Sequence, residues 1–138
     1  MKHHPWRDLR SREDVILSWR DDLPPRVKGV TDGRDIWMST KLIQVERRCT
    51  LTHELVHMDL GHSECQNEKV ELRVRRITAA QLIDTADLIE ACKWALSPEE
   101  VADELWVTVE VLMDRINALS PVERALIDQA IREAWHHD

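Results

Sequence analysis

The sequence predicts an α+β protein: a small antiparallel sheet of about three strands packed on a pair of long helices, with a helical C-terminal part. Three observations carry this. Asp32-Gly33 stands between two short β-prone runs, a strong local hairpin signal. Apolar residues then recur at helical spacing over about 43–60 and again over 68–83. Finally, Ser97-Pro-Glu-Glu100 and Ser120-Pro-Val-Glu123 each place Pro at a first helical position and Glu three residues after the capping Ser.

In chain order, Pro5 to Arg12 reads as a short charged helix or an irregular lead-in. Val15 to Trp19 is a compact apolar run that suits a strand, and Asp21-Asp-Leu-Pro-Pro25 breaks the chain after it. Val27–Thr31 and Arg34–Met38 are the two arms of the hairpin. A helix follows from about Ile43 to Leu60, with Gly61 where a helix C′ residue belongs. His62 to Asn67 is a polar loop. A second long helix runs from about Glu68 to Ile83, with Val70, Val74, Ile77 and Leu82 on its apolar stripe. Glu99–Trp106 and Val109–Leu119 are helices joined by a tight turn near Val107-Thr108. Pro121 to about Trp135 closes the chain with Val122, Leu126, Ile127, Ala130, Ile131 and Ala134 as its packing stripe. At 138 residues we read one domain, in three parts: β-rich over 1–40, the helix pair over 41–95, and helical over 96–138.

Composition narrows the function classes. Charged residues make up 33% and hydrophobic ones 43%, an ordinary soluble balance with no run of membrane-spanning length. The net charge of −7 argues against a surface that wraps nucleic acid. Phe and Tyr are absent, so the six Trp are the aromatic anchors expected in small clusters. Cys49, Cys65 and Cys92 are odd in number and lack framework spacing, and the opening residues do not resemble a signal peptide. Reduced thiols and a cytoplasmic location are the expectation. Cys49, on the first long helix, is read as core rather than reactive. His3, His4, His136 and His137 flank the termini and are read as exposed ends.

The chemistry concentrates in Thr50-Leu-Thr-His-Glu-Leu-Val-His57. Residues four apart share one helix face, so His53 and His57 can offer two imidazole nitrogens to one metal ion. Glu54 is one step round the helix, able to reach the attacking water without binding the metal. A catalytic zinc takes three protein ligands and leaves a position open. The next helix is the natural donor of the third, and both Glu68 and Glu71 are candidates. Two other completions are weaker. The metzincin pattern would need Gly at plus three and His at plus six after His57; Gly61, His62 and Ser63 stand at plus four, five and six. A site closed by His57, His62 and Cys65 would leave Glu54 without a task.

Arg47 to His57, together with Glu71-x-x-Val74-x-x-Ile77-Thr78-Ala79-Ala80-x-Leu82-Ile83, resembles the ImmA/IrrE-like metallopeptidases of bacteria and their phages. The likeness covers most of the chain and is nearest to the short versions from actinobacterial phages and prophages. Ile77 and Thr78 depart from the family's usual Phe and Ala, and Asp84-Thr85 replaces a frequent Met-Pro. On that register Glu71 matches the family's ligand. The resemblance implies a zincin-type helix pair holding Zn2+ through His53, His57 and Glu71, with Glu54 as general base. It also implies an endopeptidase whose protein substrate is a helix-turn-helix repressor, in phage, mobile-element or stress regulation.

With no Tyr available, the oxyanion-stabilising candidates are His62, Arg75 and Arg76, and Asp59 is the candidate to orient a ligand histidine. Two alternatives come from other classes: an inactive, zinc-stabilised binding module, and a DNA-binding helix-turn-helix over Val101–Ile116. Against direct nucleic-acid binding, the would-be recognition helix carries one Arg against two acids.

Overall fold

In the computed structural model, which describes residues 3–135, seven helices and a three-stranded sheet follow in the order α1 (Pro5–Ser11), β1 (Leu17–Arg20), β2 (Gly29–Thr31), β3 (Ile36–Ser39), α2 (Gln44–Asp59), α3 (Glu68–Leu82), α4 (Thr85–Trp94), α5 (Pro98–Leu105), α6 (Val109–Asn117) and α7 (Pro121–Trp135). The class is α+β, with the helical C-terminal part expected. His136 and His137 lie outside the described residues.

The sheet differs from the expected antiparallel arrangement: it is mixed, in the order β1-β3-β2. β2 and β3 form the hairpin, pairing Val30 with Trp37 across the Asp32-Gly33 turn. Asp32 Oδ1 accepts from the amides of Arg34 and Asp35 at 2.9 and 2.8 Å, and this closes the turn. β1 instead runs parallel to β3, with Leu17 opposite Ile36. The physical reason is the connection 21–28. This long connection, broken by Pro24-Pro25, makes no tight turn back onto β1, so β2 lies two strand positions from β1, about 10 Å away, and the hairpin inserts β3 between them.

Helix starts follow the sequence closely because side chains cap them. Asn67 accepts from Val70 N–H at 2.9 Å, and Thr108 from Val111 N–H at 3.2 Å. Ser120 and Glu123 complete a reciprocal capping box at 3.1 Å each way. The other Ser-Pro pair is displaced: Ser97 caps Glu100, but Glu100 reaches back to Leu96 N–H. Asp84, one of the two residues that replace the family's frequent Met-Pro, is the N-cap of α4 through Asp87 N–H at 2.7 Å.

Two apolar clusters meet on α2. Leu51 and Leu55 pack with Ile36, Met38 and Leu42 beneath the sheet, with Trp6 and Leu9 of α1 alongside. Cys49 points the other way, into the cluster of Leu82, Ile83, Leu88, Val101, Leu105, Leu112 and Ile127 that joins α3 to α7. The tryptophans are less buried than expected: Trp19, Trp94, Trp106 and Trp135 are all exposed. Trp6 and Trp19 stack at 6.4 Å, and Arg47 lies 4.7 Å over the Trp19 ring. His3 is half-buried and no free end, since its carbonyl accepts from Arg48 at 3.2 Å. Among the described residues, no helix is long and apolar enough to cross a membrane.

Candidate metal centre

A cleft of about 520 Å3 runs between the hairpin and the helices, and the residues singled out by spacing line it. α2 contributes His53, Glu54 and His57; α3 contributes Glu71, Arg75 and Thr78; β2 contributes Gly29, Val30 and Thr31; α6 contributes Glu110, Val111 and Asp114. Glu71, Arg75 and Thr78 stand at i, i+4 and i+7, so one face of α3 opposes the motif face of α2.

His53 Nε2 lies 2.7 Å and His57 Nε2 3.0 Å from the same oxygen of Glu71, Oε1. The three donor atoms all lie within 4.8 Å of one another. Among the described residues this is the group of three or more metal-capable side chains that the structure gathers. Glu68 is exposed at the start of α3 and takes no part. Cys65 is exposed in the loop at the cleft wall, and His57 turns its Nε2 toward Glu71 rather than toward that loop. The closed His57/His62/Cys65 arrangement is therefore absent among the described residues.

The donor set suits zinc. Two imidazole nitrogens and one carboxylate oxygen are borderline-to-hard ligands, and tetrahedral bonds of about 2.0–2.2 Å set donors about 3.4 Å apart. Opening the 2.7 and 3.0 Å separations to that spacing needs only small side-chain rotations. Among the described residues no Lys or Arg side chain bonds to the three donors; Arg75, on the same face of α3, is turned to Asp114 through bonds of 2.6 and 3.1 Å.

The electrostatics separate the two carboxylates. Burial first, and the negative charge of Glu71 second, push the Glu54 carboxyl up to about 7. Burial also works against the Glu71 carboxylate, but hydrogen bonds from His57 and His53 outweigh it and hold that group below its ordinary value. Burial holds His53 below the usual imidazole range, which favours the neutral form a metal requires. Glu54 is packed from the strand side as well. Any Cβ on Gly29 would stand 2.8 Å from Thr50 Cγ2 and 3.5 Å from Glu54 Cγ, so only glycine lets β2 approach α2 this closely.

Other expectations are redistributed. Asp59 does not touch a ligand histidine; it pairs with Arg12 at 2.9 Å. The side chain at His57 is His62, whose Nδ1 lies 2.9 Å from His57 Nδ1. Arg76 is exposed and outside the cleft, whereas Arg75 lines it. Sequence reasoning missed the wall built by α6, because contact between α3 and α6 is long-range and no local pattern announces it. The spacing of Arg75 and Asp114 carries no such signal.

No curated protein and no solved structure matches the chain. A family model described as Peptidase_M78, IrrE N-terminal-like domain, matches residues 14–117, from the approach to β1 through the last residue of α6. That span holds the sheet, both histidines, Glu54, Glu71 and the whole cleft wall, and the chain belongs to the IrrE N-terminal-like peptidase family.

Proposed function

We propose that this protein is a zinc-dependent endopeptidase that cuts a protein substrate in extended conformation. The observation that carries the reading is the convergence of His53, His57 and Glu71 around one point, beside a Glu54 that is 6% exposed and outside the donor group. His53, His57 and Glu71 would hold the ion. Bound there, zinc supplies Lewis acidity, which makes water more acidic and a peptide carbonyl more electrophilic.

The chain's own residues do the rest. β2 has β3 on one side only, and its residues line the cleft, so a substrate strand can pair along the free edge. Glu54 accepts a proton from the attacking water as its oxygen bonds to the scissile carbonyl carbon. It returns that proton to the amide nitrogen as the C–N bond breaks. A carboxyl poised near neutrality suits both transfers. Arg75, a cation of the cleft wall on the same face of α3 as Glu71 and held by Asp114, is the candidate to stabilise an oxyanion.

The substrate we infer is a helix-turn-helix repressor, as the family resemblance implies, and the setting is cytoplasmic regulation of phage, mobile-element or stress genes. A DNA-binding role for α5 and α6 finds less support. The one cation of α6, Arg115, is 8% exposed and bonded to Ile83 O, Thr85 and Glu123, while Glu110 and Asp114 face the cleft. That helix offers phosphates nothing.

The test begins with zinc content by mass spectrometry on wild type and Glu71→Ala: one ion per chain is expected, with clear loss in the variant. The zinc-loaded protein is then incubated with candidate helix-turn-helix repressors, and fragments are mapped by mass. Glu54→Gln should keep its zinc and lose cleavage by about 10²-fold or more. Cleavage unchanged in Glu54→Gln would sink the mechanism. Zinc retained with repressor bound but never cut would establish a binding module instead.

A further inference from the structure

His57 has two ring nitrogens with different neighbours. Nε2 faces Glu71 at 3.0 Å, and Nδ1 lies 2.9 Å from Nδ1 of His62. His62 reaches that position through the way α2 ends. Gly61 takes φ +77°, its N–H donates to Met58 O at 3.0 Å, and the next N–H, of His62, donates to His57 O at 2.9 Å. This pair of bonds is a Schellman cap, which folds the C″ residue back over the C3 residue. Such caps usually bring two apolar side chains together there; here they bring two imidazoles. The hairpin tip braces the same loop, since a Cβ on Gly33 would stand 3.3 Å from His62 O and 3.2 Å from Ser63 Cβ.

Two Nδ1 atoms this close can share one proton only. A neutral imidazole that offers Nε2 to a metal must carry its proton on Nδ1. Nδ1 of His62 must then be bare, with its own proton on Nε2. We propose that His62 is a positioning residue for the metal ligand: it accepts the hydrogen bond that His57 donates from Nδ1, and so holds His57 in the tautomer and ring orientation that aim Nε2 between His53 and Glu71. The helix cap therefore delivers the group that orients the second histidine of the motif, a task that falls elsewhere to carboxylates or backbone carbonyls. The inference rests on the metal reading above.

The test exploits atom position. Asn carries its carbonyl oxygen, and Leu a methyl group, at the δ1 site where His62 presents its nitrogen, and the two residues are nearly the same size. Zinc affinity is measured by chelator competition at one fixed pH on wild type, His62→Asn and His62→Leu, with unfolding of the metal-free forms as a folding control. We expect His62→Asn to bind zinc within a few-fold of wild type and His62→Leu to bind about 10–100-fold more weakly, with the metal-free stabilities alike. Long-range 1H–15N spectra of the zinc-loaded wild type should place the proton of His57 on Nδ1 and that of His62 on Nε2. Equal affinity in His62→Leu and wild type would overturn the proposal, as would equal losses in both variants or a His62 proton on Nδ1. A wild type that takes up no zinc would instead overturn the metal reading on which the proposal stands.

Discussion

A carboxyl that is 6% exposed, with a second carboxylate beside it, holds its proton more tightly than a free glutamate, and Glu54 is in that position. Its folded value of about 7 against an ordinary 4.5 means that the protonated form favours folding. The resulting stability is fully present below about pH 4.5 and is lost as pH rises through about 7, amounting to about 3 kcal/mol at most. Urea unfolding of the metal-free protein at pH 4.5 and pH 8 tests this against Glu54→Gln, whose side chain mimics the protonated acid. The stability of the variant relative to wild type should rise by about 3 kcal/mol between those two pH values. His53 contributes the opposite slope, since its lowered value costs stability as pH falls below the ordinary imidazole range, but both proteins share that term. Parallel pH curves would mean that Glu54 is not desolvated. At the same scale, Gly29 matters through what it lacks: the Cβ that would collide with Thr50 is absent, so the strand edge and Glu54 share one wall of the cleft.

Between elements, the helices are locked by polar ties rather than apolar contact alone. Arg115 of α6 donates to Ile83 O at 2.8 Å, to Thr85 at 3.0 Å and to Glu123 at 3.0 Å, while Thr85 donates to Glu123 at 2.6 Å. One guanidinium thus joins the end of α3, the start of α4 and the start of α7. Replacing it by Met strands a buried carbonyl and a carboxylate, and should lower stability by about 2–3 kcal/mol in urea at pH 7. A loss under 0.5 kcal/mol would mean that the tie is incidental. Glu123 is held down to about 2, first by Thr85 and then by Ser120 and Arg115, so its contribution is present above pH 4.5 and disappears as pH falls through about 2. Glu123→Gln should flatten the acid limb in that window. What was legible in the sequence follows the same division. Caps and turns are local, so the starts of α3, α6 and α7 and the Asp32-Gly33 hairpin could be read from side chains a few residues apart. The parallel pairing of β1 with β3 and the packing of α6 beside α3 depend on partners distant in the chain. Val15–Trp19 carries no mark of which strand it will meet. His62 was visible as a residue, but the spacing from His57 through Gly61 becomes informative only when the cap is recognised as a fold-back.

At the scale of the molecule, α2 is the wall shared by both apolar clusters, and the candidate metal site joins it to α3 in the cleft that β2 also lines. His53 and His57 are fixed within one helix, so what a bound ion adds is the link to Glu71 across the α2–α3 junction. The loop 62–67 between these helices is held by the cap at Gly61 and by Asn67 at the start of α3, with little apolar burial of its own. An unfolded chain presents the three ligands without this geometry, so it binds zinc far more weakly and the ion shifts the folding equilibrium. With free zinc at about 100 times its dissociation constant, the folded state should gain about 2.7 kcal/mol. For a chain of 138 residues this corresponds to a rise in melting temperature of roughly 9 °C. Differential scanning calorimetry with and without zinc checks the shift, and Glu71→Ala should abolish it at the same zinc concentration. His62→Leu should lie between the two, because it keeps all three ligands and loses only the orientation of one. A wild-type melting temperature unmoved by zinc would show that the three donors do not act together, and that the α2–α3 junction is held by the hydrogen bonds of Glu71 alone.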